Sequence, residues 1–177
     1  MILYLSLVLM AGTIWAAETP AKLKPGDPFP NLSGEYLSGR KAELPLHARG
    51  KVAFLALGFT YDSRFAVERW TKEFRQATRG RNDVTFYEIP MIGGMARMGR
   101  WFIDSGMRRG TPDELHENVI TVYGGTDPWK KRLGYRAGDH AYLVLLDPEG
   151  RVEWVWHGLW DEAAFSNLKT LLHSAKR

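Results

Sequence analysis

Val52-Ala53-Phe54-Leu55-Ala56-Leu57-Gly58-Phe59, followed at once by Thr60-Tyr61-Asp62-Ser63-Arg64-Phe65, is the stretch from which the fold is read. Its first half is continuously apolar, with no alternation. A strand of that kind must be covered on both faces, as in the middle of an α/β sheet. After the polar break Tyr61-Asp62-Ser63-Arg64 the period changes. Phe65, Val67, Trp70, Phe74 and Ala77 recur at helical spacing, with Glu68, Arg69, Lys72, Glu73 and Arg75 between them. Asp62 or Ser63 is expected to cap the helix, and Gly80 to end it. A buried strand running through a tight loop into a helix puts that loop at the carboxyl end of the strand. Open α/β sheets collect ligands there.

Reading outward toward the C-terminus, Val84-Thr85-Phe86-Tyr87-Glu88-Ile89 is a second strand, stopped by Pro90. The segment 91–110 is expected to hold a helix after the Gly93-Gly94 loop. Met91, Met95 and Met98 form one helical stripe, Trp101 and Phe102 extend it, and Arg97, Arg100, Arg108 and Arg109 lie among them. Residues 119–123 read as a strand, and Asp127-Pro128-Trp129 as the start of a short helix capped by Thr126 or Asp127. Ala141–Leu146 and Val152–Trp156 read as strands joined by the turn Asp147-Pro148-Glu149-Gly150. An amphipathic helix over 162–174 follows, with Asp161 in a cap position. Toward the N-terminus, 37–44 is a short hairpin turning at Gly39. Residues 18–36, with Pro25, Pro28 and Pro30, form an extended segment. The expectation is one α/β domain over 37–177, its sheet parallel where helices intervene and antiparallel at the terminal hairpin.

The chain has 177 residues, a length suited to one domain. It contains no cysteine, which removes disulfides, thiolate catalysis, iron–sulfur clusters and cysteine zinc sites together. The formal charge of +4 is mild and identifies no partner by itself. Residues 2–17 carry no charge, and an apolar run ends in Ala16-Ala17 before Glu18. This reads as a signal peptide over 1–17 and implies an exported protein, periplasmic or membrane-associated. The runner-up is a short uncleaved anchor, although the run is shorter than the roughly 20 apolar residues of a spanning helix.

The element order, with Leu145-Leu146-Asp147-Pro148-Glu149-Gly150-Arg151 turning the last hairpin, resembles the thioredoxin-like superfamily of exported thiol oxidoreductases and redoxins. The resemblance implies a three-layer α/β/α sandwich with a central mixed sheet, closed by a C-terminal hairpin and helix. It puts the loop Tyr61, Asp62, Ser63, Arg64, Phe65 where the family carries Cys-x-x-Cys, with Asp62 and Phe65 about where the two cysteines would stand. It puts His140 and Ala141 where the family carries a cis-proline. Both hallmarks are missing, and a carboxylate cannot replace a thiolate in disulfide exchange. A closer likeness is to mitochondrial ATP synthase assembly factors of thioredoxin-like fold, which also lack the catalytic cysteines. It rests on Glu68–Phe74, Phe86–Pro90, Trp101–Arg108, Tyr142–Asp147 and Gly150–Trp154. That likeness implies a chaperone of a membrane protein complex. The alternative is a redox-family relative with a non-cysteine function, such as small-ligand or peptide binding.

Three places compete as sites. The loop 61–65 is a peptide or anion contact through free helix-terminal amides and Arg64, or else a plain helix cap. Met95, Arg97, Met98, Arg100, Trp101, Arg108 and Arg109 are candidates for docking a protein partner or a membrane surface, or else a core helix with solvated arginines. Trp154 and Trp156, on one face of a strand, could stack on a sugar or peptide, or pack against the last helix. No metal or other cofactor is expected. A thioredoxin-like copper chaperone uses a histidine near the position of His140, but with two cysteines. A thioether stripe over Met91, Met95 and Met98 more often serves as core or adaptable apolar surface than as a Cu(I) site. No nucleic-acid module or nucleophile triad appears, so a protein partner is the expectation and catalysis is not.

Overall fold

The computed structural model describes residues 21–94 and 99–174. The proposed signal peptide and the candidates Met95, Arg97 and Met98 lie outside the described residues. Seven strands form one sheet: β1 (Leu32–Tyr36), β2 (Lys41–Leu44), β3 (Val52–Gly58), β4 (Val84–Ile92), β5 (Ile120–Tyr123), β6 (Ala141–Leu146) and β7 (Val152–Gly158). Their order across the sheet is β2-β1-β5-β4-β3-β6-β7. Four helices cover it: α1 (Ser63–Ala77), α2 (Arg100–Gly110), α3 (Thr126–Leu133) and α4 (Glu162–Ser174). This is the three-layer thioredoxin-like sandwich that the sequence predicts.

The apolar run of β3 is central, and all seven of its residues are buried. Alternate side chains serve two cores. Phe54 and Ala56 pack with Val67, Trp70 and Phe74 of α1 and with Phe165, Leu168 and Leu172 of α4. Leu55 and Leu57 pack on the other face with Ile89, Met91, Ile120, Tyr142 and the α3 residues Trp129 and Leu133.

Several expectations change. The sheet begins at Leu32, within the segment 18–36 expected to be only a lead-in; Leu32 and Tyr36 are buried there, and β1 pairs with both β2 and β5. Pro90 does not stop β4. It stands opposite Gly58, where β3 ends, and Met91 and Ile92 continue by pairing with Val122 and Tyr123 of β5. Met91 is therefore a buried strand residue, not the first of a helical stripe. The strand β6 runs antiparallel to β3 even though α3 intervenes after β5. The chain enters β6 from the end of the sheet at which β3, β4 and β5 finish. The turn at 147–150 forms as expected, with Gly150 at φ +84° and the Asp147 side chain accepting from the Arg151 amide at 2.7 Å.

Candidate functional site

At the carboxyl ends of β3 and β4 the loop 60–65 turns into α1. Gly58 is required there, because a Cβ on it would lie 2.4 Å from the Ser63 hydroxyl. The expected Asp62 cap does not form. Asp62 already has helical backbone angles (φ −73°, ψ −27°), so its carboxylate makes no capping bond. Thr60 takes that work. Its hydroxyl accepts from the Ser63 amide at 3.3 Å, and the Ser63 hydroxyl donates to the Thr60 carbonyl at 2.7 Å. The Arg64 guanidinium lies 3.9 Å from the Tyr61 ring centroid and 4.4 Å from that of Phe65. Both rings are otherwise open to solvent, at 72% and 60% exposure.

The structure brings the loop before β6 against this turn. The Thr60 hydroxyl donates to the Gly138 carbonyl at 2.6 Å. Phe59 meets Tyr135 and Tyr142 edge-on at 5.6 and 5.3 Å. The Tyr142 hydroxyl accepts from the Arg136 and Ala137 amides and donates to the Ala137 carbonyl. Ala141 is fully buried as the first residue of β6. The His140 ring stacks on that of His157 across the β6–β7 pair, at 5.6 Å and 17°, and the Nδ1 atoms of both are buried without a hydrogen-bond partner. Burial and the neighbouring His140 push the His157 pKa below its ordinary value. Among the described residues no three His, Asp or Glu side chains converge on one point as metal ligands would.

The helix α2 carries the docking candidates that fall in the described residues, and it is built inside out. Its one buried residue is Asp104, which accepts from the Tyr123 hydroxyl at 2.7 Å. Arg100 pairs with Glu35 and lies 3.6 Å from Asp104, and the Arg108 Nε donates to the Leu37 carbonyl at 2.6 Å. Arg100 and Arg108 thus moor α2 to the β1–β5 pair. Arg109 is exposed at the last turn, with no described partner. Trp101, a docking candidate, and Phe102, which the alternative reading places in the core, are 79% and 71% exposed.

Between α1 and α2, over the floor of β4, runs a groove of about 710 Å³. Val67 and Glu68 of α1, Glu88 and Pro90 of β4, and Phe102 and Met107 of α2 line it. Of the exposed large rings, Tyr61 and Phe102 belong to its lining. Glu88 is the residue that sequence reasoning missed. It shares strand parity with Phe86 and Pro90 and so faces α1. The Thr71 hydroxyl donates to its Oε1 at 2.5 Å, and burial raises its pKa above the ordinary carboxylate value, with the Glu68 charge adding to the shift. The signal was present in the sequence: an acid in an inward-facing position of an apolar strand.

The aromatic face is largely spoken for. Trp154 and Trp156 stack 6.5 Å apart, Trp70 of α1 packs on Trp156 at 4.9 Å and on Trp160 at 4.8 Å, and Phe165 of α4 closes over Trp70. The packing alternative describes this pair.

No family model and no curated protein sequence matches the chain. Solved structures do. A thiol peroxidase from Chromobacterium violaceum superposes with a TM-score of 0.58 at 14% identity, covering 90% of this chain and 92% of that one. The exposed lipoprotein thioredoxin of Streptococcus pneumoniae gives 0.54 at 14% identity, over 80% and 99%. BsSco, a member of the Sco family of cytochrome c oxidase assembly proteins, gives 0.59 at 12% identity, over 86% and 96%. At these identities the likeness establishes the thioredoxin-like fold. No described helix is long and apolar enough to cross a membrane.

Proposed function

We propose that this thioredoxin-like chain performs no thiol chemistry and works by binding protein partners, as an exported assembly factor or chaperone of a membrane protein complex would. Without cysteine, the loop at the head of α1 has no sulfur nucleophile to offer. The observation that carries the reading is the groove between α1 and α2 with two large exposed aromatic side chains, Tyr61 and Phe102, in its lining. Exposed aromatic rings clustered beside an apolar concavity are the composition of binding hot spots. Arg64, already ordered between two rings, adds a pre-positioned cation to that rim.

The experiment is site-specific photo-crosslinking in the source cell, with benzoylphenylalanine replacing Phe102 and, as control, the exposed Lys72 on α1. The reading expects a discrete protein adduct from position 102 and none from 72. No adduct at 102 above the control overturns it, and so does reduction of insulin disulfides by the purified chain.

A further inference from the structure

We infer, resting on the partner-binding reading above, that the groove takes an apolar partner segment bearing one lysine or arginine, whose charge pairs with Glu88. Glu88 sits on the groove floor, and its wall neighbours Val67, Pro90, Ile103 and Met107 are apolar. Its hydrogen bond comes from the neutral hydroxyl of Thr71. Among the described residues no cation forms an ion pair with it. The charge of Arg75 acts on Glu88, but that guanidinium lies over the Phe86 ring at 5.6 Å, and Arg64 lies against Tyr61 and Phe65. Glu68 brings a second carboxylate to the same lining. In a chain with a formal charge of +4, this floor reverses the prevailing sign.

A carboxylate in an apolar wall with no ion-pair partner is costly, and a cation delivered to it recovers that cost. A basic side chain suits the site geometrically as well. Its methylene stem lies along apolar wall while its head reaches the carboxylate, and Phe102 in the lining offers a ring face to its neighbours. A purely apolar segment would leave the carboxyl uncompensated, and an acidic one would add to the repulsion.

The test is selection from a displayed library of random dodecapeptides, on the full chain and on Glu88→Gln in parallel. Gly106→Leu, which fills the groove, serves as control. The inference expects peptides selected on the unaltered chain to combine apolar residues with a lysine or arginine. It expects Glu88→Gln to select the same apolar pattern without the basic residue, and Gly106→Leu to select nothing. Replacing the basic residue of a selected peptide by norleucine should weaken binding about tenfold or more, the range of a charge-assisted hydrogen bond. Apolar peptides lacking a basic residue, or basic peptides held equally well by Glu88→Gln, overturn the charge pairing and leave the partner-binding reading standing. No selected peptide at all overturns both. Should Glu88→Gln fail to fold, the norleucine replacement reads the same pairing on the unaltered chain.

Discussion

The hydroxyl of Thr60 donates to the carbonyl of Gly138 across 78 residues of sequence, at 2.6 Å, tying the loop that opens α1 to the loop that opens β6. The same oxygen accepts from the Ser63 amide, so one side chain both starts the helix and clasps the neighbouring loop. Thr60→Val keeps the shape and removes both bonds. It should lower stability by about 0.5–1.5 kcal/mol, the net range of a hydrogen bond that water can partly replace, measured by urea denaturation. Asp62→Ala, by contrast, removes no capping bond and should change stability by less than about 0.5 kcal/mol.

Glu88 gives stability a pH signature. Burial raises its folded-state pKa above the ordinary carboxylate value, so the folded chain holds that proton more tightly than the unfolded one. Its contribution is fully present below the unfolded pKa of about 4.5 and is lost as pH rises through the folded value. Glu88→Gln cannot ionise and should therefore gain stability relative to the unaltered chain as pH is raised from 4.5 to neutrality. Denaturation midpoints of the two proteins across that range check it, and a constant difference would contradict it.

His157 acts in the opposite sense. Desolvation first, and then the charge of His140, hold its pKa below 6.5. The stability tied to its neutral form is present above pH 6.5 and is lost as pH falls through the lower folded value. In an NMR titration its ring proton should inflect below 6.5. Replacement of His140 by Asn should move that inflection upward, since the like charge is removed.

Gly106 lies inside α2, and a Cβ added there meets nothing within 4 Å. Gly106→Ala should stabilise the chain by about 0.5–1 kcal/mol through helix propensity alone. A thermal melt reads this as a rise of a few degrees. A fall would mean that the groove is closed in solution.

The helix α2 is held by polar moorings more than by apolar packing. Tyr123→Phe removes the donor to buried Asp104 and should cost about 1–3 kcal/mol. The loss should appear first as faster amide hydrogen exchange over 100–110, with the β3 and β6 amides unchanged.

The unalternating run 52–58 announced a strand covered twice, and the change of period after it announced α1; both follow from local pattern, and so does the hairpin turn at Asp147–Gly150. What stayed hidden was set by pairing across the chain. Met91 reads as helical because the stripe Met91, Met95, Met98 has the right spacing, yet the partner strand β5 draws it into β4. Phe102 reads as core in one alternative, but Glu35, the Leu37 carbonyl and Tyr123, distant in sequence, hold Arg100, Arg108 and Asp104 and turn the opposite face of α2 inward. Arg64 reads as solvated or anion-seeking, and stacking against its own neighbours settles its place. The groove itself is made by two helices whose separation no local pattern encodes.

Tryptophan is distributed so that the chain carries its own spectroscopic reporter. Among the described residues Trp70, Trp154, Trp156 and Trp160 share one packed cluster and Trp129 is buried in the other core, while Trp101 stands in water on α2. Of these, Trp101 is the one whose emission is long in wavelength and open to iodide, and the shielded, shorter-wavelength component belongs to the cluster and Trp129. A partner that settles over the exposed face of α2 dries the first and leaves the second untouched, so docking there can be followed by light without attaching a dye.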